Sequence, residues 1–322
     1  MVHLPSIENI WNISEHNFNE ISLKIFLFQA KNNSVYAQYL DLIDQDASKI
    51  DRYTQIPCLP ITFFKTHKVT TGDFESSIIF ESSSTTGMGV SKNYIQNISH
   101  YHQNCLQIIE QKLGDIREYE IFGLLPNYLE RQHSSLVSMV EFLMHHNKQD
   151  DGFYLYNHQA LIDRIDASTK KILLFGVSFA LLDFAEQYTT TKEITVIETG
   201  GMKGRKKEIT KEEVYTELKT AFINGAIISE YGMTELLSQA YSNDKGIYTS
   251  PSWMKVLPRA DNDPLSHAVT GQSAALNIID LANLNSCCFI ATDDLGKVHH
   301  NGQFEVLGRL DYADIRGCSL MI

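Results

Sequence analysis

Three stretches of this sequence group side chains that bind phosphate, sugar or metal, and each follows a short apolar run. The first stretch, residues 81–89, is dense in serine, threonine and glycine. Hydroxyl and backbone N–H groups packed in this way donate to a phosphate without adding a fixed charge. The Gly-Lys-Ser/Thr of a nucleotide-binding P-loop does not follow. Taken alone, the stretch fits an ordinary polar turn as well as a phosphate site.

The second stretch, residues 230–235, follows the apolar run 226–228 and combines an aromatic ring, a glycine, a hydroxyl and carboxylates. In open α/β sheets, ligands bind where strands end. Tyr231 is suited to stack on a base, Thr234 to contact a phosphate and Glu235 to hold magnesium. On these residues alone, a binding role and a structural role stay equally open.

The third group combines residues 292–296 with residues 308–311 near the end of the sequence. Asp293 can accept two sugar hydroxyls, and Arg309 can reach the same sugar or a phosphate. Without further context, the favoured interpretation of this group is a hairpin turn with surface charges.

The elements that must position these groups follow from the apolar pattern. Short apolar runs, which predict strands, alternate with amphipathic stretches, which predict helices, between residues 76 and 240. We predict strands at 78–80, 121–125, 171–175, 194–197 and 226–228, with helices near 97–113, 134–146, 180–182 and 210–222. We expect the first polar loop, 81–89, to connect a strand to a helix. Thr210 and Glu213 have the spacing of a capping box. This alternation is typical of a parallel α/β sheet.

The rest of the sequence has a different character on each side of this core. Residues 6–50 have mostly helical spacing, and we expect residues 1–75 to form a helical region that packs on the core. After about residue 240, short strands at 274–278, 288–291 and 303–307 predict an antiparallel subdomain. The predicted division is therefore 1–75, a nucleotide- and acyl-binding core at 76–240, and a β-rich subdomain at 241–322.

Composition excludes several classes of protein. The 322 residues are 43% hydrophobic and carry a net charge of −12, so a disordered chain and a nucleic-acid partner are both unexpected. No apolar run is long enough for a membrane span, and no secretory signal begins the sequence. The five cysteines are odd in number and form no C-x-x-C pair, which favours a cytoplasmic location.

Together, and in this order, the three groups resemble the motifs of the adenylate-forming enzyme superfamily. The Tyr-Gly-Met-Thr-Glu at 231–235 is the most specific of them. Residues 174–179, 198–208 and 307–318 look more closely like LuxE-type acyl-protein synthetases, the ligases of bacterial fatty-acid reductase complexes. The resemblance extends from about residue 76 to the end of the sequence.

The resemblance implies a fold and a reaction. The fold is α/β, that of the N-terminal domain of adenylate-forming enzymes, with parallel sheets flanked by helices and a C-terminal antiparallel β subdomain. The reaction is ATP- and Mg²⁺-dependent conversion of a fatty acid, expected to be long-chain, to an acyl-adenylate. An enzyme cysteine then takes the acyl group as a thioester and passes it to a reductase partner.

The resemblance also implies the residues that carry each step. Those implied for ATP are Ser83, Ser84, Thr85, Thr86, Gly87, Gly200, Gly201, Tyr231, Gly232, Met233, Asp293 and Arg309. The first five would hold the β- and γ-phosphates, the glycines at 200–201 would lie close to adenine, and Asp293 with Arg309 would bind the ribose. Thr234 would contact the α-phosphate and Glu235 the magnesium. Cys318 would accept the acyl group, and a cation such as Arg316 would raise its thiolate fraction.

Two features depart from the superfamily pattern. Many members have glycine where Ser84 stands, which implies a stiffer loop or a different grip on phosphate. Larger members continue into a small mobile domain with a catalytic lysine, whereas this sequence stops at Ile322, as LuxE-type members do near this point. We therefore expect that domain to be absent. Lys203, Arg205 and Lys206 are candidate substitutes for the lysine, but the favoured interpretation of these residues is a solvated basic turn.

Three alternative functions stay open. One is a ligase that transfers the acyl group to free coenzyme A. A second is an α/β-hydrolase-type thioesterase, because residues 176–180 approach a Gly-x-Ser-x-Gly elbow centred on Ser178, with Asp293 and His299 or His300 later in the chain. The third is a non-catalytic subunit that binds acyl groups or nucleotides.

Overall fold

The computed structural model describes residues 7–82, 89–126, 132–200, 210–261, 263 and 265–310. The helices of these residues are α1 (Ile7–Ile10), α2 (Phe18–Asn32), α3 (Ser34–Leu42), α4 (Phe63–Thr66), α5 (Ile98–Leu113), α6 (Ser135–His146), α7 (His158–Ala167), α8 (Ser178–Ala185) and α9 (Lys211–Ala221). The strands are β1 (Leu59–Pro60), β2 (Ile78–Glu81), β3 (Lys92–Ile95), β4 (Tyr119–Leu124), β5 (Lys171–Gly176), β6 (Ile194–Glu198), β7 (Ala226–Tyr231), β8 (Ala240–Ser242), β9 (Tyr248–Thr249), β10 (Met254–Arg259), β11 (Ser273–Asp280), β12 (Phe289–Val298) and β13 (Phe304–Arg309). No helix among them is both long and apolar enough to cross a membrane.

The chain divides into two compact units. Unit 1 consists of Met1–Gly72 together with Ser252–Ile322, and unit 2 consists of Asp73–Pro251. Unit 1 is therefore built from two stretches that are far apart in sequence. The predicted division of the chain into regions 1–75, 76–240 and 241–322 stays a prediction.

Unit 2 contains a parallel sheet in which β4, β5, β6 and β7 are neighbours in sequence order. Strands β8 and β9 continue this sheet in antiparallel fashion from β7. The predicted parallel α/β core is confirmed. Register places Gly176 of β5 beside Glu198 of β6, and Glu198 beside Ser229 of β7. These positions therefore form a row across one edge of the sheet.

The strands of this sheet form because their apolar runs are buried continuously, as both faces of a parallel sheet require. Ile172 to Phe175 on β5 are all buried, and so are Val196 and Ile197 on β6. Helices α7, α8 and α9 contribute Leu161, Phe184 and Leu218 to the same apolar cluster. Strands β4 to β7 and helices α7 to α9 thus share one apolar core.

Helix α9 begins with the predicted capping box. The backbone N–H of Thr210 donates to Oε2 of Glu213 at 2.6 Å, and the Glu213 N–H donates to Oγ1 of Thr210 at 3.2 Å. The two side chains thus accept from backbone N–H groups that a helix N-terminus leaves unpaired.

The polar segment after β2 differs from the prediction. Strand β3 follows it and pairs antiparallel with β2, with Ile78 opposite Ile95 and Glu81 opposite Lys92. The segment therefore connects two strands of a hairpin, and α5 begins only after β3. The prediction of a direct strand-to-helix connection was wrong because Lys-Asn-Tyr-Ile at 92–95 is too short and polar to give a strand signal.

Unit 1 contains the antiparallel sheet β10-β11-β12-β13, and β1 runs parallel to β12. This confirms the predicted C-terminal antiparallel subdomain. The segment 292–296 lies inside the ten-residue strand β12, with Thr292 fully buried. The interpretation of this segment as a hairpin turn was therefore wrong. The β12 register shifts between Leu295 and Gly296, where the strand is irregular.

The N-terminal helices belong to unit 1 and are tied to its C-terminal stretch by side-chain hydrogen bonds. Nε2 of Gln29 donates to the carbonyl oxygens of Asn283, Leu284 and Ser286 at 3.1–3.2 Å. Oε1 of Gln29 accepts from the backbone N–H of Cys288 at 2.9 Å. Gln29 is fully buried, so these bonds replace all of the water that its amide would otherwise contact.

Candidate functional site

The candidate site lies at the carboxyl edge of the parallel sheet of unit 2. The row formed by Gly176, Glu198 and Ser229 marks this edge. Ser178 follows the end of β5, Gly200 follows the end of β6, and Tyr231 ends β7. The predicted residues Gly200 and Tyr231 are thus carried by neighbouring strands and reach the same edge, where ligands of α/β sheets bind.

Glu198 is the centre of a hydrogen-bond network at this edge. Its side chain is buried, with 5% of its surface exposed. Oε1 accepts from the Ser178 hydroxyl at 2.5 Å and from the backbone N–H of Gly200 at 2.7 Å. Oε2 accepts from the Ser229 hydroxyl at 2.6 Å. One carboxylate therefore fixes the segments that follow β5 and β6 to strand β7.

The network continues away from Glu198 through hydroxyl groups. The Tyr215 hydroxyl on α9 lies 2.9 Å from Oγ of Ser229 and 2.9 Å from Oγ of Ser242. The Ser242 hydroxyl also accepts from the backbone N–H of Ser229 at 2.7 Å. Buried polar groups are tolerated when every member has partners, and then they fix one arrangement. The network holds α9 and β8 in register with the end of β7.

Gly200 has a backbone conformation that other residues rarely adopt, with φ at +76°. A Cβ atom at this position would meet no atom within 4 Å among the described residues, so conformation and not space requires the glycine. Its N–H donates to Glu198, and its carbonyl oxygen accepts from the Ser178 N–H at 3.4 Å. Gly201, the second glycine predicted for adenine, lies outside the described residues.

Tyr231 is largely buried, with 8% of its surface exposed. Its ring meets the ring of Tyr248 edge to face, with centroids 5.9 Å apart. Lys211 donates from Nζ to the Tyr248 hydroxyl, and the ammonium lies 4.6 Å from the centroid of the Tyr248 ring. Tyr231, the residue predicted to stack on adenine, therefore packs against the Tyr248 ring, which also contacts the Lys211 ammonium.

Burial shifts the pKa values of both Lys211 and Tyr248. Desolvation lowers the pKa of Lys211, while the charge of Glu198 acts in the opposite direction. Desolvation and, to a smaller extent, the Glu198 charge raise the pKa of the Tyr248 hydroxyl well above its usual range. Lys211 and Glu198 thus place one positive and one negative group within electrostatic reach of each other at this edge.

Glu230 is an ionisable group that the sequence did not single out. Burial raises its pKa from 4.5 to about 8, and the negative charge of Glu198 adds to the shift. At neutral pH the protonated form therefore predominates. A Cβ on Gly232 would overlap Oε1 of Glu230, so the glycine leaves room for this carboxyl group. The motif thus carries a neutral acid directly before Tyr231.

The turn that carries Thr234 and Glu235 is held by the β2–β3 hairpin. Nδ2 of Asn93 on β3 donates to the carbonyl oxygen of Thr234 at 3.0 Å. Oδ1 of Asn93 is buried and has no hydrogen-bond partner among the described residues. Glu235 is buried with 5% exposure, and Thr234 is half-buried. The hairpin whose two strands flank the predicted phosphate segment therefore also holds the turn that carries the predicted magnesium residue.

The third predicted group lies in unit 1. Register places Asp294 of β12 opposite Arg309 of β13, and Nε of Arg309 lies 3.4 Å from Oδ1 of Asp294. The carbonyl oxygen of Asp293 accepts from the Leu310 N–H at 2.7 Å. Arg309 is 84% exposed at its side chain, which leaves its guanidinium accessible to solvent. The two predicted ribose residues are brought together, and Asp294 is the carboxylate that Arg309 contacts.

Several predicted residues lie outside the described part of the chain. They are Ser83, Ser84, Thr85, Thr86, Gly87, Gly201, Lys203, Arg205, Lys206, Arg316 and Cys318. The described cysteines are all buried free thiols: Cys58, Cys105, Cys287 and Cys288.

The geometry around Ser178 does not support the thioesterase alternative. Ser178 is 4% exposed, and its hydroxyl donates to the carboxylate of Glu198. An activated serine nucleophile instead donates to a histidine base. His299 of unit 1 contacts Oε1 of Glu305 at 2.9 Å. The hydroxyl of Ser178 is therefore part of the hydrogen-bond network around Glu198.

Solved structures share this fold, although no protein-family model and no curated protein match the sequence. O-succinylbenzoate coenzyme A synthetase (MenE) from Bacillus subtilis in complex with AMP is 14% identical, with a TM-score of 0.53, over 73% of this chain and 61% of its own. ATP-bound MatB from Rhodopseudomonas palustris is 15% identical, with a TM-score of 0.54, over 72% of this chain and 47% of its own. The MenE structure with ATP and magnesium gives a TM-score of 0.53 at 14% identity, over 74% of this chain and 51% of its own.

These comparisons confirm the predicted fold of adenylate-forming enzymes. The chain spans about half to three fifths of the length of the structures that it matches. The closer resemblance to LuxE-type synthetases stays a prediction.

Proposed function

We propose that the protein uses ATP and Mg²⁺ to convert a carboxylic acid to an acyl-adenylate. One observation carries the proposal: Tyr-Gly-Met-Thr-Glu at 231–235 extends from the end of β7, beside the Gly200 turn after β6, in a fold shared with a synthetase solved with AMP and with ATP. Sequence motif and three-dimensional position are independent properties, and here both favour a nucleotide site.

The proposed reaction brings together groups of like charge. A substrate carboxylate oxygen attacks the α-phosphorus of ATP, the bond to the β-phosphate breaks, and pyrophosphate leaves. Positive groups and hydrogen-bond donors must therefore stabilise negative charge on the phosphates. Thr234 is proposed to donate to the α-phosphate, and Lys211 to contribute positive charge at the same edge. Tyr231 is proposed to stack on adenine, and Asp293 with Arg309 to bind the ribose.

The residues present fit a magnesium ion. Glu235 supplies a carboxylate on the turn after β7, and carboxylate oxygen is a ligand that Mg²⁺ prefers. Among the described residues, no three acidic, histidine or cysteine side chains gather as a metal cage. In nucleotide sites Mg²⁺ commonly takes one or two carboxylates and completes its shell with phosphate oxygens and water. When bound, the ion would neutralise phosphate charge.

For the second step, we propose that Cys318 takes the acyl group. Its sulfur attacks the adenylate carbonyl carbon, AMP leaves, and a thioester forms. The resemblance of residues 307–318 to LuxE-type synthetases supports this acceptor, a long-chain fatty acid as substrate and a reductase as partner. A cytoplasmic location is part of the same proposal. Free coenzyme A is the second candidate acceptor, because a solved structure with this fold is a coenzyme A synthetase.

Intact-mass measurement tests the proposal directly. The protein is incubated with ATP, Mg²⁺ and a panel of carboxylic acids, as wild type, Cys318→Ser and Cys105→Ala. Cys105 is the matched control, because burial raises the pKa of its thiol well above the usual range. We expect a hydroxylamine-labile increase of one acyl group in the wild type and in Cys105→Ala, and none in Cys318→Ser.

Other outcomes separate the alternatives. Release of pyrophosphate without a protein adduct, together with acyl-coenzyme A formation when coenzyme A is added, would transfer the acceptor role to coenzyme A. Neither adduct nor pyrophosphate would contradict adenylation and favour a binding subunit.

Exchange of labelled pyrophosphate into ATP tests the proposed roles of the motif residues. We expect Thr234→Ala and Glu235→Gln to lower the acid-dependent exchange rate by roughly 100-fold, because each removes a group proposed to stabilise phosphate charge. Glu217→Gln is the matched control, since Glu217 is exposed on α9. Exchange in both motif variants within threefold of the wild-type rate would refute these roles.

A further inference from the structure

The loop that carries Thr234 and Glu235 begins and ends in two neighbouring strands of unit 2. Strand β8 pairs antiparallel with β7 and places Glu230 opposite Tyr241. Residues 232–239 therefore form the connection of a β-hairpin. A bond across the base of this hairpin restricts the positions that the connection can take.

Glu230 and Gln239 lie on the same face of the hairpin, near its base. Gln239 directly precedes β8 and is two positions from Tyr241, so its side chain leaves the face that Tyr241 and Glu230 share. A Cβ atom on Gly232 would overlap Oε1 of Glu230 and would lie 3.4 Å from Cγ of Gln239. The two side chains therefore approach each other over the α-carbon of Gly232.

The Gln239 amide has an acceptor that lacks a donor. Gln239 is 4% exposed, and its Oε1 is buried without a hydrogen-bond partner among the described residues. Its Nε2 donates to the carbonyl oxygen of Leu237 at 3.3 Å. This bond fixes the orientation of the amide, because the opposite orientation would set two acceptor oxygens against each other. Buried polar atoms normally have a partner, so Oε1 requires a donor from its surroundings.

The Glu230 carboxyl group can be this donor only in its protonated form. A carboxylate only accepts hydrogen bonds, whereas a carboxylic acid has one O–H donor. Burial raises the pKa of Glu230 to about 8, so the acid form predominates at neutral pH. The described ionisable groups that interact with it are all acids and give its charge no counter-ion: Glu198 on β6, Tyr101 and Cys105 on α5, Tyr241 on β8 and Tyr248 on β9.

We propose that Glu230 is held as a neutral acid whose hydroxyl donates to Oε1 of Gln239, and that this bond positions the loop that carries Thr234 and Glu235. Glu230 is then a positioning residue, which acts through the loop and not on the substrate. When its proton passes to a base in solution, the donor is lost and acceptor oxygens face each other across the hairpin. The effect on catalysis rests on the proposed adenylation, whereas the hydrogen bond does not.

Glu230→Gln tests the bond, because its amide N–H donates to Gln239 at every pH. Amide hydrogen exchange of peptides from 230–242 is compared between wild type and variant at pH 7 and at pH 9, with peptides from β4 as the internal reference. We expect equal protection at pH 7. At pH 9 most of Glu230 is ionised, and we expect the wild-type loop to exchange about 10-fold faster than the variant loop.

A second donor is tested by Cys105→Ala, because the Cys105 thiol also interacts with the Gln239 side chain. A thiol is a weak donor, so we expect this variant to keep wild-type loop protection at pH 7. Gln239→Leu lacks the acceptor and should lose about 10-fold in loop protection already at pH 7. Should Gln239→Leu not fold, the isosteric Glu230→Gln decides the assignment.

Exchange of labelled pyrophosphate into ATP tests the consequence for the reaction. The ratio of the wild-type rate to the Glu230→Gln rate should fall about 10-fold from pH 7 to pH 9, because only the wild type loses the bond. The ratio of the wild-type rate to the Glu217→Gln rate should stay constant, since Glu217 is exposed on α9.

The outcomes separate the hydrogen bond, its role and the proposed function. Equal loop protection of wild type and Glu230→Gln at pH 9 would overturn the bond, and reduced protection in Cys105→Ala at pH 7 would assign the donor to the thiol. Changed loop protection with a constant ratio of pyrophosphate exchange rates would refute the positioning role. No pyrophosphate exchange in any of the proteins would refute adenylation and with it this role, whereas loop protection would still decide on the bond.

Discussion

Replacing Glu198 should destabilise unit 2 strongly, because its carboxylate accepts three buried hydrogen bonds. Glu198→Ala would leave the donors of Ser178, Gly200 and Ser229 without their acceptor. Each buried donor left unpaired costs about 1–3 kcal/mol. Rotation of the two hydroxyls and entry of water relieve part of this cost, so we expect a loss of about 4 kcal/mol in the free energy of unfolding.

An isosteric variant separates the hydrogen bonds from the packing. Glu198→Gln keeps one oxygen for two of the three donors, and the Ser229 hydroxyl can rotate to accept from the new amide. We therefore expect a loss of about 1 kcal/mol. Glu212→Ala serves as the control, because Glu212 is an exposed residue on α9, and it should stay within about 0.5 kcal/mol of the wild type.

Urea unfolding followed by far-ultraviolet circular dichroism measures these differences. Hydrogen exchange of peptides from β5, β6 and β7 localises them, since tryptophan fluorescence reports on unit 1. A Glu198→Ala protein within 1 kcal/mol of the wild type would refute the reasoning. Equal losses in the Ala and Gln variants would also refute it, because they would assign the effect to shape and not to hydrogen bonds.

Three further predictions concern ionisation and capping. Because burial raises the pKa of Glu230 from 4.5 to about 8, this residue adds stability at low pH that is lost as the pH rises to 8. The free energy of unfolding should therefore fall with pH, by at most about 1.4 kcal/mol per pH unit. Glu230→Gln should remove this slope in urea unfolding between pH 6.5 and 8. Burial lowers the pKa of His102 from 6.5 to about 4, so the folded protein loses stability as the pH falls through that range. His102→Gln should therefore resist acid unfolding better than the wild type over the same interval. Thr210→Ala should cost about 1 kcal/mol by removing the cap shared with Glu213, whereas Thr216→Ala on the exposed face of the same helix should cost nothing measurable by urea unfolding.

The sequence predicted the parallel core well because its signal is local and strong. Strand β5 is an unbroken apolar run, as a strand buried on both faces must be, and the Thr210 cap is a pair of residues three positions apart. Strand β3 had no such signal, because its four residues, Lys-Asn-Tyr-Ile, are too few and too polar to show a strand pattern. Residues 292–296 were misinterpreted because their acidic side chains resemble a turn, although they continue a strand whose neighbours bury it.

The candidate site was only half visible in the sequence for a related reason. The Tyr-Gly-Met-Thr-Glu motif marks Tyr231 directly, whereas the role of Glu198 depends on the register of three strands. A carboxylate at the end of the apolar run 194–197 was the one available signal for it. Asn93 contacts the backbone of Thr234 across 141 positions of the chain, and no local pattern reports such a contact.

The discontinuity of unit 1 has a consequence for its synthesis on the ribosome. The N-terminal helices emerge first, but the partners of residues such as Gln29 lie beyond residue 252. At about 5–20 residues per second, translation of the intervening residues takes roughly 10–35 s. During that interval the N-terminal helices lack their partners from the C-terminal stretch, whereas unit 2, which is continuous in sequence, has all of its residues by the end of the interval. Unit 2 is therefore expected to fold first, and the early helices to be a binding site for cotranslational chaperones.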